Sequence, residues 1–151
     1  MIDLRDQSIP ELKELFAAMG EKPFRGGQLF RWIARGASDF DEISDLPAAL
    51  REKLKQTALL TNMKTKKIQV SAKDGTRKYL FQLMDGDTVE TVLMKYEYGN
   101  SICVSSQVGC AMGCKFCASA IGGLERNLTA GEMYGQLLEA QRETGEKINN
   151  I

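Results

Sequence analysis

Apolar residues recur at helical spacing through roughly the first sixty positions and then give way to alternation. Leu12, Leu15, Phe16 and Met19 fall on one face of a helix. Ser8 suits its N-cap, Glu11 completes a capping box, and Gly20 is a natural stop. A second helix is expected from Phe24, carrying Leu29, Phe30, Trp32 and Ile33 and ending at Gly36. A third is expected over 47–60, with Pro47 at its start and Leu50 and Leu54 one turn apart. From 61 to 109 the period becomes two. Ile68 and Val70, then Tyr79, Phe81 and Leu83, then Val89, Thr91 and Leu93 alternate with polar neighbours. Asp74-Gly75 and Asp85-Gly86 are turn signals, and Tyr98-Gly99-Asn100 marks a third turn. These features predict an antiparallel meander of about four strands, ending in Ser101–Ser105. Residues 110–128 read as a glycine- and cysteine-rich loop. Thr129 and Glu132 then form the capping box of a helix carrying Met133, Leu137, Leu138 and Ala140, which should stop near Gly145. Ile148 and Ile151 open a further strand. Strand, loop, helix and strand make one βα unit of a parallel sheet. The fold class is therefore α+β leading into α/β.

Charge divides the chain. The 20 basic and 20 acidic residues cancel overall, which excludes a uniformly basic nucleic-acid binder. Residues 61–81, however, set Lys64, Lys66, Lys67, Lys73, Arg77 and Lys78 against Asp74 alone, a net +5. Such an island is either a solvated strand face or a phosphate-contacting surface. No apolar run is long enough to span a membrane and the N-terminus has no signal-peptide pattern, so a cytoplasmic location is expected.

The chain has no histidine, which removes the commonest general base and every imidazole-ligated metal site. Its four cysteines, Cys103, Cys110, Cys114 and Cys117, crowd into 15 residues. A disulfide framework would spread them along the chain. The last three have the spacing C-x3-C-x2-C, and a loop of that length can turn three thiolates toward one metal cluster. Three ligands on a four-iron cluster leave one iron open, which is a catalytic rather than a structural arrangement. The alternatives are a zinc site made by all four cysteines, although only Cys114 and Cys117 have knuckle spacing, and inert buried thiols.

C-x3-C-x2-C with Phe116 before the last cysteine resembles the signature of radical SAM enzymes. Its surroundings narrow the resemblance. Ser101-Ile-Cys-Val-Ser-Ser-Gln-Val-Gly-Cys110 runs into the motif. Phe24-Arg-Gly-Gly-Gln28-Leu-Phe-Arg-Trp32, Leu46-Pro47 with Leu50-Arg51, and Val89-Glu90-Thr91-Val92 precede it, and Arg126-Asn127-Leu128-Thr129 follows. The chain is similar over essentially its whole length to radical SAM RNA methyltransferases of the RlmN type, which methylate C2 of adenosine in 23S rRNA and certain tRNAs.

The resemblance implies a helical accessory domain over 1–60 that meets RNA and a β-hairpin extension over 61–100. It implies the start of a radical SAM catalytic domain over 101–151, the first βα unit of a truncated partial (β/α) barrel. It implies that Cys110, Cys114 and Cys117 hold a [4Fe–4S] cluster whose open iron chelates S-adenosylmethionine, and that Phe116 packs by the SAM adenine. Glu90 would be the proton acceptor. Cys103 would form a transient disulfide with a methyl-carrying cysteine not found in this sequence. The family's Gly-Glu-Pro segment is not found either, so an N-terminal portion of a longer enzyme, inactive alone, is expected. The implied partners are 23S rRNA, tRNA and a reductant such as flavodoxin, with the enzyme a monomer. The alternatives are a related methyltransferase acting on C8 of the same adenosine, and a non-catalytic RNA-binding module with an all-cysteine zinc site.

Overall fold

Ser8 starts the first long helix as its sequence requires. Its backbone N–H donates to Glu11 Oε2 at 2.7 Å, and the Glu11 N–H donates to Ser8 Oγ at 3.5 Å. A computed structural model describes residues 1–151 as two compact units, Met1–Thr61 and Asn62–Ile151. In the first, α1 (Ile9–Ala18), α2 (Phe24–Ala34) and α3 (Ala48–Thr57) surround a core that includes Leu12, Phe16, Leu29, Ile33, Leu50 and Leu54. The third helix is shorter than its periodicity suggests. Ala58 and Leu59 leave it as a two-residue strand, β2, parallel to β1 (Ile2–Asp3). Asp3 reinforces this pairing, since its Oδ1 accepts from the N–H groups of Arg5 (3.0 Å) and Thr61 (3.2 Å). A ladder between the two ends of a unit leaves no local periodicity to read.

Gly26 sets how closely α1 and α2 approach. A Cβ there would lie 2.6 Å from the Lys13 nitrogen and 2.8 Å from the Leu12 carbonyl carbon, both backbone atoms that cannot swing aside. Gly27, one residue on, has nothing within 4 Å of an added Cβ. Alanine normally gains about 1 kcal/mol over glycine inside a helix. Gly27→Ala should therefore stabilise by up to that amount. Gly26→Ala should invert the sign and cost about 1–2 kcal/mol through forced helix separation. Urea denaturation of the two variants side by side checks this.

In the second unit β3 (Lys64–Val70), β4 (Arg77–Gln82), β5 (Thr88–Tyr96) and β6 (Gly99–Cys103) form the antiparallel meander. The chain then crosses through α4 (Ala130–Thr144), and β9 (Ile148–Asn150) returns parallel to β6. Tyr79, Phe81, Val89, Leu93 and Ile102 face one side of the sheet and share a core with Leu137, Leu138 and Ala140 of α4. Tyr79 donates its hydroxyl to Glu143 at 2.7 Å, and Arg77 pairs with the same carboxylate. Burial, and the carboxylate it meets, push the Tyr79 phenol well above its ordinary titration range.

Two details depart from the sequence pattern. Val70, expected to share the buried face with Ile68, lies at the strand end and is 56% exposed. The register of β3 also shifts between Thr65 and Lys67, so that Lys66 is an extra residue in a bulge. Beyond the bulge, Lys67 pairs with Leu80 and Gln69 with Lys78. These four stand on the face away from α4, because the next positions along β4, Tyr79 and Phe81, are the buried ones.

Candidate functional site

The cysteine segment is more ordered than a plain loop. β7 (Gln107–Gly109) and β8 (Leu124–Asn127) pair antiparallel and bring its two ends together. This short ladder corrects the expectation of a continuous loop over 110–128. Its strands are too short to show alternation. Gln107 Nε2 donates to Asn127 Oδ1 at 2.8 Å across it, and the Cys110 N–H donates to the Gly123 carbonyl at 2.9 Å. Gly109 sits at the closure with φ +73°, and a Cβ there would come 2.0 Å from the Gly123 oxygen. Only glycine fits at that position.

Arg126 of β8 fastens the base of this segment to two other elements. It donates to Glu132 in the first turn of α4, with two contacts of 2.8 Å, and to Asp85 in the β4–β5 turn. Asp87 lies 3.5 Å away. The guanidinium holds the partly buried Glu132 carboxyl below the usual carboxylate range.

Cys110, Cys114 and Cys117 are free thiols, each partly exposed. The Cys117 N–H donates to the Cys114 carbonyl at 3.1 Å, which tightens the turn between them. Phe116 is 93% exposed and touches no core. No three cysteine or carboxylate side chains stand close enough together here to hold a metal ion. The donor chemistry nonetheless fits a cluster of iron and sulfide: three unpaired thiols on one glycine-flanked segment, with no competing imidazole in the chain.

Glu90 and Cys103 lie on adjacent strands. Val92 is paired with Cys103, and Glu90 is two residues from Val92, so Glu90 and Cys103 are diagonal neighbours on the face away from α4. That relation separates residues by about 7–8 Å. Both are exposed, and Cys103 is a free thiol. Lys78 Nζ donates to Glu90 Oε1 at 2.7 Å, and Ser105 Oγ donates to the Glu90 carbonyl at 2.7 Å.

Sequence reasoning missed the residue that ties these parts together. Gln136 of α4 is fully buried. Its Oε1 accepts from Thr91 Oγ1 (2.7 Å) and the Ser105 N–H (2.8 Å). Its Nε2 donates to the carbonyls of Ser105 (2.9 Å) and Glu132 (3.3 Å). The segment leading from Cys103 toward the cysteine motif is thereby held to the strand of Glu90. The available signal was a polar residue three positions after Met133 and four before Ala140, inside an apolar helical stripe.

Residues 2–60 match the family described as the ribosomal RNA large subunit methyltransferase N-terminal domain. The chain is 52% identical over 151 residues to a probable dual-specificity RNA methyltransferase RlmN of Desulforamulus reducens, covering 99% of this chain and 43% of the relative. It is 48% identical over 147 residues to the protein of that name from Bacillus subtilis, covering 95% and 40%. A crystal structure of a radical SAM methyltransferase from Sphaerobacter thermophilus superposes with a TM-score of 0.86 at 42% identity, covering 99% of this chain and 46% of that one. The chain thus spans less than half the length of the relatives it matches. No helix is long and apolar enough to cross a membrane. At about half identity along nearly every residue, the chain corresponds to an N-terminal portion of proteins named RlmN.

Proposed function

We propose that this chain supplies the cluster-binding loop, the proton-accepting carboxylate and one of the thiols of a radical SAM enzyme that methylates C2 of adenosine in 23S rRNA and tRNA. Cys110, Cys114 and Cys117 hold the [4Fe–4S] cluster, and Phe116 lies against the adenine of S-adenosylmethionine. Adenine C2 is an electron-poor carbon with no nucleophilic lone pair, and the bound cofactors supply the one-electron chemistry it needs. The chain's own groups do the remaining work. Glu90 accepts the proton from the substrate carbon, in a chain that has no histidine to do so. Cys103 forms the disulfide that frees the product, with a cysteine outside these residues. The helical region 1–60 and the basic hairpin within 61–100 meet RNA, and 101–151 opens the partial (β/α) barrel. A flavodoxin-type reductant, a monomeric enzyme and a cytoplasmic location complete the proposal.

The observation that carries this reading is the juxtaposition of Glu90 and Cys103 on one open sheet face, followed in the chain by three free thiols. An exposed carboxylate and an exposed free thiol on one face support assigning them the two steps that the cofactors do not perform. Glu90 remains exposed despite its contacts with Lys78 and, through its backbone carbonyl, Ser105.

The test is anaerobic reconstitution with iron and sulfide, followed by electron paramagnetic resonance of the reduced protein with and without S-adenosylmethionine. A [4Fe–4S]⁺ signal that shifts on adding S-adenosylmethionine is expected. Stoichiometric tight zinc with no such signal would overturn the reading.

A further inference from the structure

The open face of the second unit's sheet carries a shallow depression of about 260 Å³ beside Glu90, lined by Lys67, Gln69, Lys78, Leu80 and Glu90 itself. By absorbing one residue, the bulge at Lys66 leaves Lys67 opposite Leu80 and Gln69 opposite Lys78, on the same face as Glu90. Donors dominate the lining. Each lysine ammonium offers three N–H groups and the Gln69 amide two more. Lys67 has no ion-pair partner. Lys78 spends one donor on Glu90, and that pair is 44% and 55% exposed on its two sides. An ion pair so exposed is weak, so Lys78 can share its charge with a second anion at little cost.

We propose that Lys67, Gln69 and Lys78 form a subsite for one backbone phosphate of the RNA, with Leu80 as its apolar floor and Lys78 bridging the phosphate and Glu90. A phosphodiester matches this lining because it offers only acceptors and carries one negative charge. Glu90, the one negative charge in the depression, is shielded from it by the ammonium of Lys78. A phosphate contact positions a strand without reading its sequence. Here it fixes where the neighbouring nucleotide lies relative to Glu90 and Cys103. Lys78 is thus a positioning residue, and the subsite rests on the RNA-methyltransferase reading above.

The experiment is the salt dependence of binding of a single-stranded RNA oligonucleotide to the protein. Each phosphate contact contributes about 0.7 to the slope of log K against log salt for single strands. Lys67→Gln and Lys78→Gln should each flatten the slope, and the double variant should flatten it by about 0.7, the share of the one phosphate they hold together. Lys67→Arg, which keeps the charge, should restore the slope. Lys147→Gln, outside the depression, should leave it unchanged. The substituted residues are exposed or half-exposed, and unchanged circular dichroism verifies folding. RNA binding with unaltered slopes in Lys67→Gln and Lys78→Gln overturns the subsite and leaves the RNA reading standing. Equal flattening in Lys147→Gln overturns it in favour of diffuse charge. If the unsubstituted protein binds no RNA, the RNA reading falls and the subsite with it.

Discussion

Alanine at Cys110, Cys114 or Cys117 is expected to abolish retention of iron and sulfide after anaerobic reconstitution, whereas Cys103→Ala is expected to retain them in full. The asymmetry follows from where the four thiols stand. Three lie on one segment closed by the β7–β8 ladder and can turn toward a common centre. Cys103 ends β6, where its backbone is paired with Val92, so its position belongs to the sheet. A cluster held by three thiolates has no protein ligand to spare, and losing one leaves two irons without protein anchors. The loss should therefore be near total rather than graded. Iron and sulfide assay with the visible absorbance of the brown protein reads it directly. Equal loss in Cys103→Ala would mean that all four thiols serve one metal, as in a zinc site, and would remove Cys103 from its assigned part in product release.

The largest effect on stability is expected at Gln136. Leucine there keeps much of the volume but deletes every polar contact. The Thr91 hydroxyl, fully buried, and the Ser105 N–H lose their acceptor, and the Ser105 carbonyl loses its donor. Each buried group left unsatisfied costs about 1–3 kcal/mol. Gln136→Leu should thus cost about 3–5 kcal/mol, a large part of the 5–15 kcal/mol that stabilises a typical domain. Thr91→Val is the contrasting variant. It removes one hydrogen bond but leaves Gln136 Oε1 accepting from Ser105, so about 1 kcal/mol is expected. Urea denaturation should show a midpoint shift of about 2 M for Gln136→Leu with the slope unchanged. A shift equal to that of Thr91→Val would show that the network is not cooperative.

Local signals carried much of this architecture. The Ser8–Glu11 and Thr129–Glu132 boxes start α1 and α4 where the sequence places them, because the caps act within one turn. The alternation of Val89, Thr91 and Leu93 put Glu90 on the opposite side of β5 from the core, which is where it stands. What escaped depends on partners distant in the chain. The β1–β2 ladder joins residues 2–3 to 58–59, and no window of a dozen residues contains it. β8 is four residues long and makes sense only beside β7. The cysteine spacing was legible as chemistry. The placement of Cys103 diagonal to Glu90 was not, because it depends on the register of the β5–β6 hairpin. Gln136 escaped for a different reason. A buried amide on an apolar stripe looks like a flaw in the pattern until the backbone groups it serves are in view.

The bulge at Lys66 has an evolutionary corollary. β3 contains one residue more than β4 needs, and the irregularity confines that surplus to a single position. Losing the Lys66 codon would give a regular strand in which Thr65 still meets Phe81 and Lys67 still meets Leu80. Losing Ile68 instead would move Gln69 toward the buried side and leave Tyr79 facing an amide. Length variation among natural versions of this strand should therefore gather at position 66 and be absent two residues later.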